Sequence, residues 1–185
     1  MAEAGFTRAP VTEARMDLPR ILTWRDAIYS AAKRYDHDPA VIAAIISRET
    51  NGRNLVGDKG HGHGPMQIDD RSFPAWCREW VAAGKDARKG IEKGADVLAE
   101  KRAVLSRLVP ALLLADKDIA LRASLAAYNC GEGNVKTILL ANRGVPAAKM
   151  HSIIDLRTHG KDYSRDVLTR AKVFRENGFG SAEAT

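Results

Sequence analysis

The stretch that decides the fold is AVIAAIISRETNGRNLVGDKGHGHGPMQIDD, residues 40–70. Its first part is almost wholly apolar, and its second part is rich in glycine, histidine and aspartate. Asp38 and the proline after it are typical of a helix start, because aspartate caps backbone N–H groups and proline fits the first helical position. Asn51 and the glycine after it are typical of a helix end. We therefore expect a helix that ends at Glu49 or Thr50, followed by loops around a short β-hairpin.

Glu49 places a carboxylate at the end of this apolar helix. Its spacing from Ile42, Ile45 and Ile46 puts it on the isoleucine face. Arg48, one residue earlier, is expected to point elsewhere. Burial and the negative end of the helix dipole would both raise the pKa of the Glu49 carboxyl, and a carboxyl that stays protonated near neutral pH suits a general acid. The alternative is a solvated glutamate in a frayed last turn.

Two aspartates, Asp58 and Asp69, flank the glycine-rich segment. Glycine makes irregular turns accessible, so acids on such a turn can face back toward a helix end. One protonated carboxyl opposite an ionised one is the arrangement that cleaves a glycosidic bond. A separation of roughly 6.5–9.5 Å between the carboxyls leaves room for a water and implies inversion. Taken singly, each aspartate also fits an ordinary turn residue.

The two histidines His61 and His63 alternate in an extended segment and could share a metal ion, with Asp58 as a third ligand. Zinc sites normally use three or four protein ligands, and the chain has neither an HExxH helix nor a cysteine pair of metal-site spacing. We therefore expect no metal and no organic cofactor. The histidines are interpreted as part of a polar loop lining a binding site.

Composition limits the class of protein. The 185 residues are 45% hydrophobic and 28% charged, as in a folded globular domain. The net charge of +6 favours an anionic partner such as nucleic acid, acidic lipid or bacterial cell wall. The alternative is that the charge has no functional role. Aromatic residues are only 6% and do not interleave with basic ones, which argues against nucleic acid. Cys77 and Cys130 make no disulfide scaffold, although a single bridge stays possible.

No apolar run is long enough to span a membrane, so we expect no stable membrane insertion. The N-terminal residues lack a basic region followed by an apolar core, and we expect no signal peptide. The chain is then made in the cytoplasm.

Helical patterns dominate the rest of the chain. Thr23 with Asp26 resembles a capping box. Asp118 is expected to cap the helix that ends at Cys130. Further helices are expected over about 72–84, 86–108, 134–141 and 162–176. The fold class is mostly α with one small β element.

Four motifs, SRET, GDKGHGHGPMQID, AAYNCGEGNV and DYSRDV, together resemble goose-type lysozymes and the related lytic transglycosylases. The resemblance spans roughly residues 20–178. It implies an α+β lysozyme-like fold, a two-lobed helical domain with a small β-hairpin lining the cleft. The chain then divides into an N-terminal extension (1–19), a catalytic domain (20–180) and a C-terminal tail (181–185). The missing cysteines and leader favour a bacteriophage or bacterial relative.

The resemblance also implies roles for individual residues and a substrate. Glu49 matches the general acid, and Asp58 and Asp69 match the acids that hold or activate water. Residues expected to contact substrate are Gln67, Tyr128, Asn129, Tyr163 and His63. The implied substrate is peptidoglycan, cut at the β-1,4 bond between N-acetylmuramic acid and N-acetylglucosamine by a monomer that acts on the cell wall, in the periplasm or outside the cell.

Several features depart from the family pattern. The segment between Glu49 and Asp58 is shorter than in birds, and Phe73 stands where a histidine is common. Two alternatives therefore remain beside the hydrolase. One is a lytic transglycosylase, which works with a lone glutamate and gives 1,6-anhydromuramyl products. The other is a wall-binding module without activity.

Overall fold

The structure, a computed structural model, describes residues 9–180, except for the side chains of residues 112 and 113. The predicted tail 181–185 and the first eight residues of the predicted extension lie outside the described part. Between residues 9 and 180, no helix combines the length and apolar character that a membrane span requires.

The described chain is mostly helical, with a small antiparallel sheet, which confirms the predicted fold class. The helices are α1 (Pro10–Leu22), α2 (Arg25–Tyr35), α3 (Pro39–Thr50), α4 (Pro74–Ala82), α5 (Ala87–Leu108), α6 (Ala111–Leu114), α7 (Lys117–Cys130), α8 (Glu132–Ala141), α9 (Ala147–Ile153) and α10 (Tyr163–Glu176). The strands are β1 (Val56–Gly57), β2 (Gly62–His63) and β3 (Ile68–Asp69), paired in the order β1-β2-β3.

The chain forms two compact units. The first unit contains residues 10–96 and 168–180, and the second contains residue 9 and residues 97–167. Cys77 belongs to the first and Cys130 to the second, and both are free thiols. Burial raises the pKa of each thiol to about 11, so both stay protonated at neutral pH.

Helix α3 forms the core of the first unit and packs against α1 and α2. Its ends are as expected. The Asp38 carboxylate accepts a hydrogen bond from the Ala40 N–H at 2.8 Å, and Asn51 ends the helix in the left-handed conformation with φ of 53°. Arg48, which is expected to point away from the isoleucine face, is only 6% exposed. A position off that face is therefore also interior.

Helix α1 lies mostly within the predicted extension and carries no clear sequence signal, because Pro19 falls inside it. The expected capping box at Thr23 is wrong. The Thr23 hydroxyl instead donates to the Arg20 carbonyl, 2.6 Å away, at the end of α1. The expected cap at Asp118 is also wrong. The cap of α7 is Asp116, two residues earlier, whose carboxylate accepts from the Asp118 N–H at 2.8 Å.

Two glycines on α5 let this helix lie directly against the turn between β2 and β3. A Cβ on Gly94 would lie 2.3 Å from the Met66 sulfur, and one on Gly90 would lie 2.8 Å from Cδ of Pro65. Neither approach is possible for any other residue type unless neighbouring atoms shift. The sheet is therefore fixed to α5 through positions 90 and 94.

The second unit is built around α7, which packs against α6, α8 and α9. Its core contains apolar side chains from these helices and from α5. Asp155 is 2% exposed and its carboxylate accepts hydrogen bonds from the Ser164 N–H at 2.9 Å and the Ser164 hydroxyl at 2.8 Å. This carboxylate fixes the start of α10.

Candidate active site

Glu49 lies half-buried in the last turn of α3, as the sequence predicts. The next residue ties this turn to the sheet. The Thr50 hydroxyl lies 3.0 Å from the carbonyl oxygens of both Ile46 and Pro65, and it accepts from the Arg53 N–H at 3.3 Å. The end of the helix and the turn between β2 and β3 are thus held together within the first unit.

Asp58 and Asp69 are held together by one arginine. Arg71 Nη2 lies 3.1 Å from Asp58 Oδ2, and its Nε lies 2.8 Å from Asp69 Oδ1. The Arg71 N–H also donates to Asp69 Oδ1, at 3.1 Å. The hydrogen bond to Asp69 and the negative charges of both aspartates raise the pKa of Arg71, which keeps it charged. The side chains are 62%, 38% and 61% exposed for Asp58, Asp69 and Arg71, so solvent reaches the whole group.

Arg71 carries little signal in the sequence. Its only mark is a basic side chain two residues after Asp69. The tight turn that follows β3, in which the Phe73 N–H donates to the Asp69 carbonyl at 2.9 Å, brings the guanidinium back onto both acids.

Gln67 lies between β2 and β3 with a positive φ of 51°. Its side-chain amide donates to the carbonyls of Gly64 at 2.9 Å and Leu55 at 3.3 Å. Its Oε1 lies over Gly57 and Gly62, where a Cβ would approach to 2.3 and 2.2 Å. Gln67 therefore joins the strands, and the two glycines provide the space for its side chain.

The two histidines share a carboxylate. His61 Nδ1 lies 2.9 Å from Asp70 Oδ1, and the hydrogen bond from His61 is the main reason that the pKa of Asp70 is lowered. His63 Nε2 lies 3.5 Å from Asp70 Oδ2 but makes no aligned hydrogen bond to it. No group of three His, Cys, Asp or Glu side chains among residues 9–180 is arranged to hold a metal ion.

His63 is 8% exposed and contacts Trp80 edge-on, with ring centroids 6.0 Å apart. In the sheet, His63 pairs with Ile68 while Gly62 pairs with Asp69. Since neighbouring residues of a strand point to opposite faces, His63 and Asp69 face away from each other. His63 lines a pocket of about 380 Å³ on its own face, together with Asp70, Pro74, Cys77, Arg78, Val81 and Ala82.

The other predicted substrate contacts belong to the second unit. Tyr128 and Asn129 lie in the last turn of α7, where the Asn129 side-chain carbonyl accepts from the His159 N–H at 2.8 Å. Tyr163 begins α10 and is only 1% exposed. This burial does not favour direct contact between the Tyr163 ring and a sugar.

Comparison with known proteins gives consistent matches over nearly the whole chain. A family model described as lysozyme g matches residues 3–178. Lysozyme g of Takifugu rubripes is 33% identical over 168 residues, which cover 89% of this chain and 80% of that protein. Lysozyme g of Gallus gallus is 29% identical and covers 93% of this chain and 73% of that protein. Lysozyme g of Struthio camelus is 29% identical, with coverage of 90% and 72%.

The matched residues include every predicted site residue. These relatives come from a fish and two birds, so the expectation of a bacteriophage or bacterial relative stays a prediction.

Proposed function

The chain belongs to the lysozyme g family and is a lysozyme, a glycoside hydrolase of the muramidase type, and on this premise we propose that Glu49 is its general acid. The proposed reaction cleaves the β-1,4 bond between N-acetylmuramic acid and N-acetylglucosamine in peptidoglycan, and so breaks down the bacterial cell wall. One observation supports this role above the others. Glu49 ends a buried helix that Thr50 ties to the sheet carrying Asp58 and Asp69.

In the proposed first step, the Glu49 carboxyl donates its proton to the glycosidic oxygen while the sugar develops oxocarbenium character. The half-buried position of Glu49 supports this role, because the carboxyl is held by the helix end and still reaches the surface where a substrate would bind.

In the proposed second step, Asp69 takes a proton from the water that attacks the opposite face of the sugar. Asp58 assists by holding the water, and Arg71 fixes the two carboxylates relative to each other. Attack from the opposite face inverts the anomeric carbon. No cofactor takes part in these steps, and a single chain is sufficient.

The proposed substrate contacts are divided between direct and supporting roles. Tyr128 and Asn129 contact the glycan. The Gln67 side chain lies over Gly57 and Gly62 and so shapes the surface beside Asp69. Tyr163 and His63, which are both buried, support these surfaces from within each unit. The net charge of +6 favours approach to anionic wall polymers, so binding should weaken as salt is added.

The test is the clearing of a cell-wall suspension by Glu49→Gln. We expect a loss of roughly 10²–10⁴-fold, the usual contribution of general acid catalysis. The matched control is Glu79→Gln, which removes an exposed carboxyl from α4 of the same unit and should clear like the parent. Equal clearing by both variants would remove Glu49 from the mechanism.

A lytic transglycosylase is the second candidate, and the Arg71 contacts favour it. A guanidinium bound to both Asp58 and Asp69 occupies carboxylate oxygens that a catalytic base would use to bind water. In a transglycosylase, Glu49 would act alone and the muramyl 6-hydroxyl would close on the anomeric carbon. Mass spectrometry of digested walls separates the two reactions, because a hydrolase leaves reducing ends and a transglycosylase leaves 1,6-anhydro ends.

A further inference from the structure

The last turn of α3 is held from behind by side chains of α1. The Ser47 hydroxyl donates to Asp17 Oδ2 at 2.7 Å, and the Asn51 side-chain amide lies 3.4 Å from the same oxygen. Arg20 donates from Nη2 to Asp17 Oδ1 at 2.8 Å and from Nε to the Asn51 carbonyl at 2.9 Å. The turn is therefore held two residues before and two residues after Glu49.

Helix α10 completes the network. Arg170 is fully buried, donates from Nη1 to the Ser47 hydroxyl at 2.8 Å, and forms an ion pair with Glu13 through Nη2. Asp17 is 2% exposed and Ser47 is fully buried. Two cations, Arg20 and Arg170, thus balance two carboxylates. A buried charged group of this kind is stable only when its members are paired and hydrogen-bonded.

The network lies on the side of the helix opposite Glu49. Ser47 and Asn51 are four residues apart and share a face, whereas a residue two positions from each is rotated by about 200°. Gly52, with φ of +70°, brings the chain onto α1, where a Cβ would lie 3.0 Å from Ile21 Cγ1. Contacts on one face therefore fix the rotation of the turn.

We propose that Asp17 and Arg20 are positioning residues for Glu49, which fix the last turn of α3 and thereby aim the Glu49 carboxyl. This inference rests on the proposed role of Glu49 as the general acid. The last carbonyls of a helix lack partners within the helix, so its final turn frays unless other groups bind it. Arg20 supplies that partner at Asn51. A misplacement of a catalytic group by about 1 Å can cost on the order of 10²-fold in rate.

Arg20→Ala tests the proposal, because the side chain is 46% exposed and its loss should leave the unit folded. We expect kcat to fall about tenfold, with KM changed less than about twofold, since the effect acts on the orientation of the acid. The alkaline limb of the kcat pH profile, on which the general acid loses its proton, should also shift. Asp17→Asn should act in the same direction, and Arg20→Lys, which restores one donor, should recover part of kcat.

The matched control is Arg175→Ala. Arg175 is also 46% exposed and forms an ion pair with Asp38 at the opposite end of α3. We expect it to lower the unfolding midpoint about as much as Arg20→Ala, with kcat and the pH profile unchanged. The proposal is overturned if folded Arg20→Ala keeps the kcat and pH profile of this control. If Asp17→Asn does not fold, the comparison of Arg20→Ala with Arg175→Ala is the test of the proposal.

Glu49→Gln in the same assay separates this proposal from the proposed function. If Glu49→Gln stays active, both fail. If Glu49→Gln is inactive while Arg20→Ala matches Arg175→Ala, only the positioning role fails.

Discussion

Asp58 and Asp69 are joined by a single guanidinium, with Arg71 Nη2 3.1 Å from Asp58 and Arg71 Nε 2.8 Å from Asp69. Asp58 lies in a turn of 3₁₀ helix after β1, and Asp69 ends β3. The two acids come from different edges of the sheet, so backbone pairing alone does not hold their carboxylates together. Their relative position depends on one exposed side chain.

Arg71→Ala should therefore affect activity more than stability. We expect the rate of wall clearing to fall about tenfold or more, because Asp58 and Asp69 then repel each other and separate. The unfolding free energy should stay close to that of the parent, since the ion pairs are exposed and screened by solvent. Arg78→Ala, which removes an exposed arginine from α4, is the control. Equal clearing by the two variants would contradict a role for Arg71.

Two glycine substitutions should change the free energy of unfolding in opposite directions. Gly94→Ala places a methyl group 2.3 Å from the Met66 sulfur and should destabilise the protein by about 1–3 kcal/mol, as overpacking does. Gly133→Ala, in α8, meets no atom within 4 Å and should stabilise it by about 0.4–1 kcal/mol. Chemical denaturation of both variants measures the difference. Stabilisation by Gly94→Ala would show that α5 does not lie against Met66.

Thr50→Val tests the link between α3 and the sheet. The substitution leaves the buried Pro65 carbonyl without its hydroxyl partner, which should cost about 1–3 kcal/mol and also reduce wall clearing. Thr137→Val is the control, because the Thr137 hydroxyl is exposed and bonds only to Gly133 in its own helix. Its unfolding free energy should stay within about 0.5 kcal/mol of the parent. A Thr50→Val variant as stable as this control would rule out the link.

The Asp70 carboxylate should stabilise the fold in a pH-dependent way. Its pKa is lowered from its usual 3.8, first by the hydrogen bond from His61, so the folded state favours the ionised form. The contribution is therefore complete above about pH 4 and is lost as the pH falls through the lowered pKa of the folded protein. Thermal midpoints of the parent and Asp70→Asn should differ at about pH 6 and converge below about pH 3. A constant difference across this range would contradict the assignment.

The parts of the fold that could be predicted depend on local rules. Asp38 and Asn51 mark the two ends of α3 because capping and left-handed termination involve only neighbouring residues. Where two nearby residues both fit a helix cap, the sequence pattern does not decide which of them caps the helix. Asp116 and Asp118 both fit a cap, and in the structure Asp116 is the cap of α7. Thr23 has the right residue type for a start but bonds to the end of the preceding helix.

The missing parts of the candidate site involve distant contacts. Asp17 lies 30 residues before Ser47, in a segment whose internal proline argues against a helix. Arg71 acts through a turn that brings it onto Asp58, 13 residues earlier. His61 and His63 resemble metal ligands in sequence. In the structure both rings lie beside Asp70, which shows no regular spacing from the two histidines in the sequence. Such pairings arise from tertiary packing and leave no regular spacing.

Arg170 reaches Ser47 across 123 residues of sequence and Glu13 across 157. A chain emerging from the ribosome therefore cannot form the contacts of Ser47 and Glu13 with Arg170 until α10 has been made. Both partners of Arg170 are translated more than a hundred residues before it. On this arrangement, chains that stop short of α10 would carry Glu49, Asp58 and Asp69 and still lack an aligned general acid. On the proposed mechanism, the ability to cleave a cell wall would then appear only after α10 has been made.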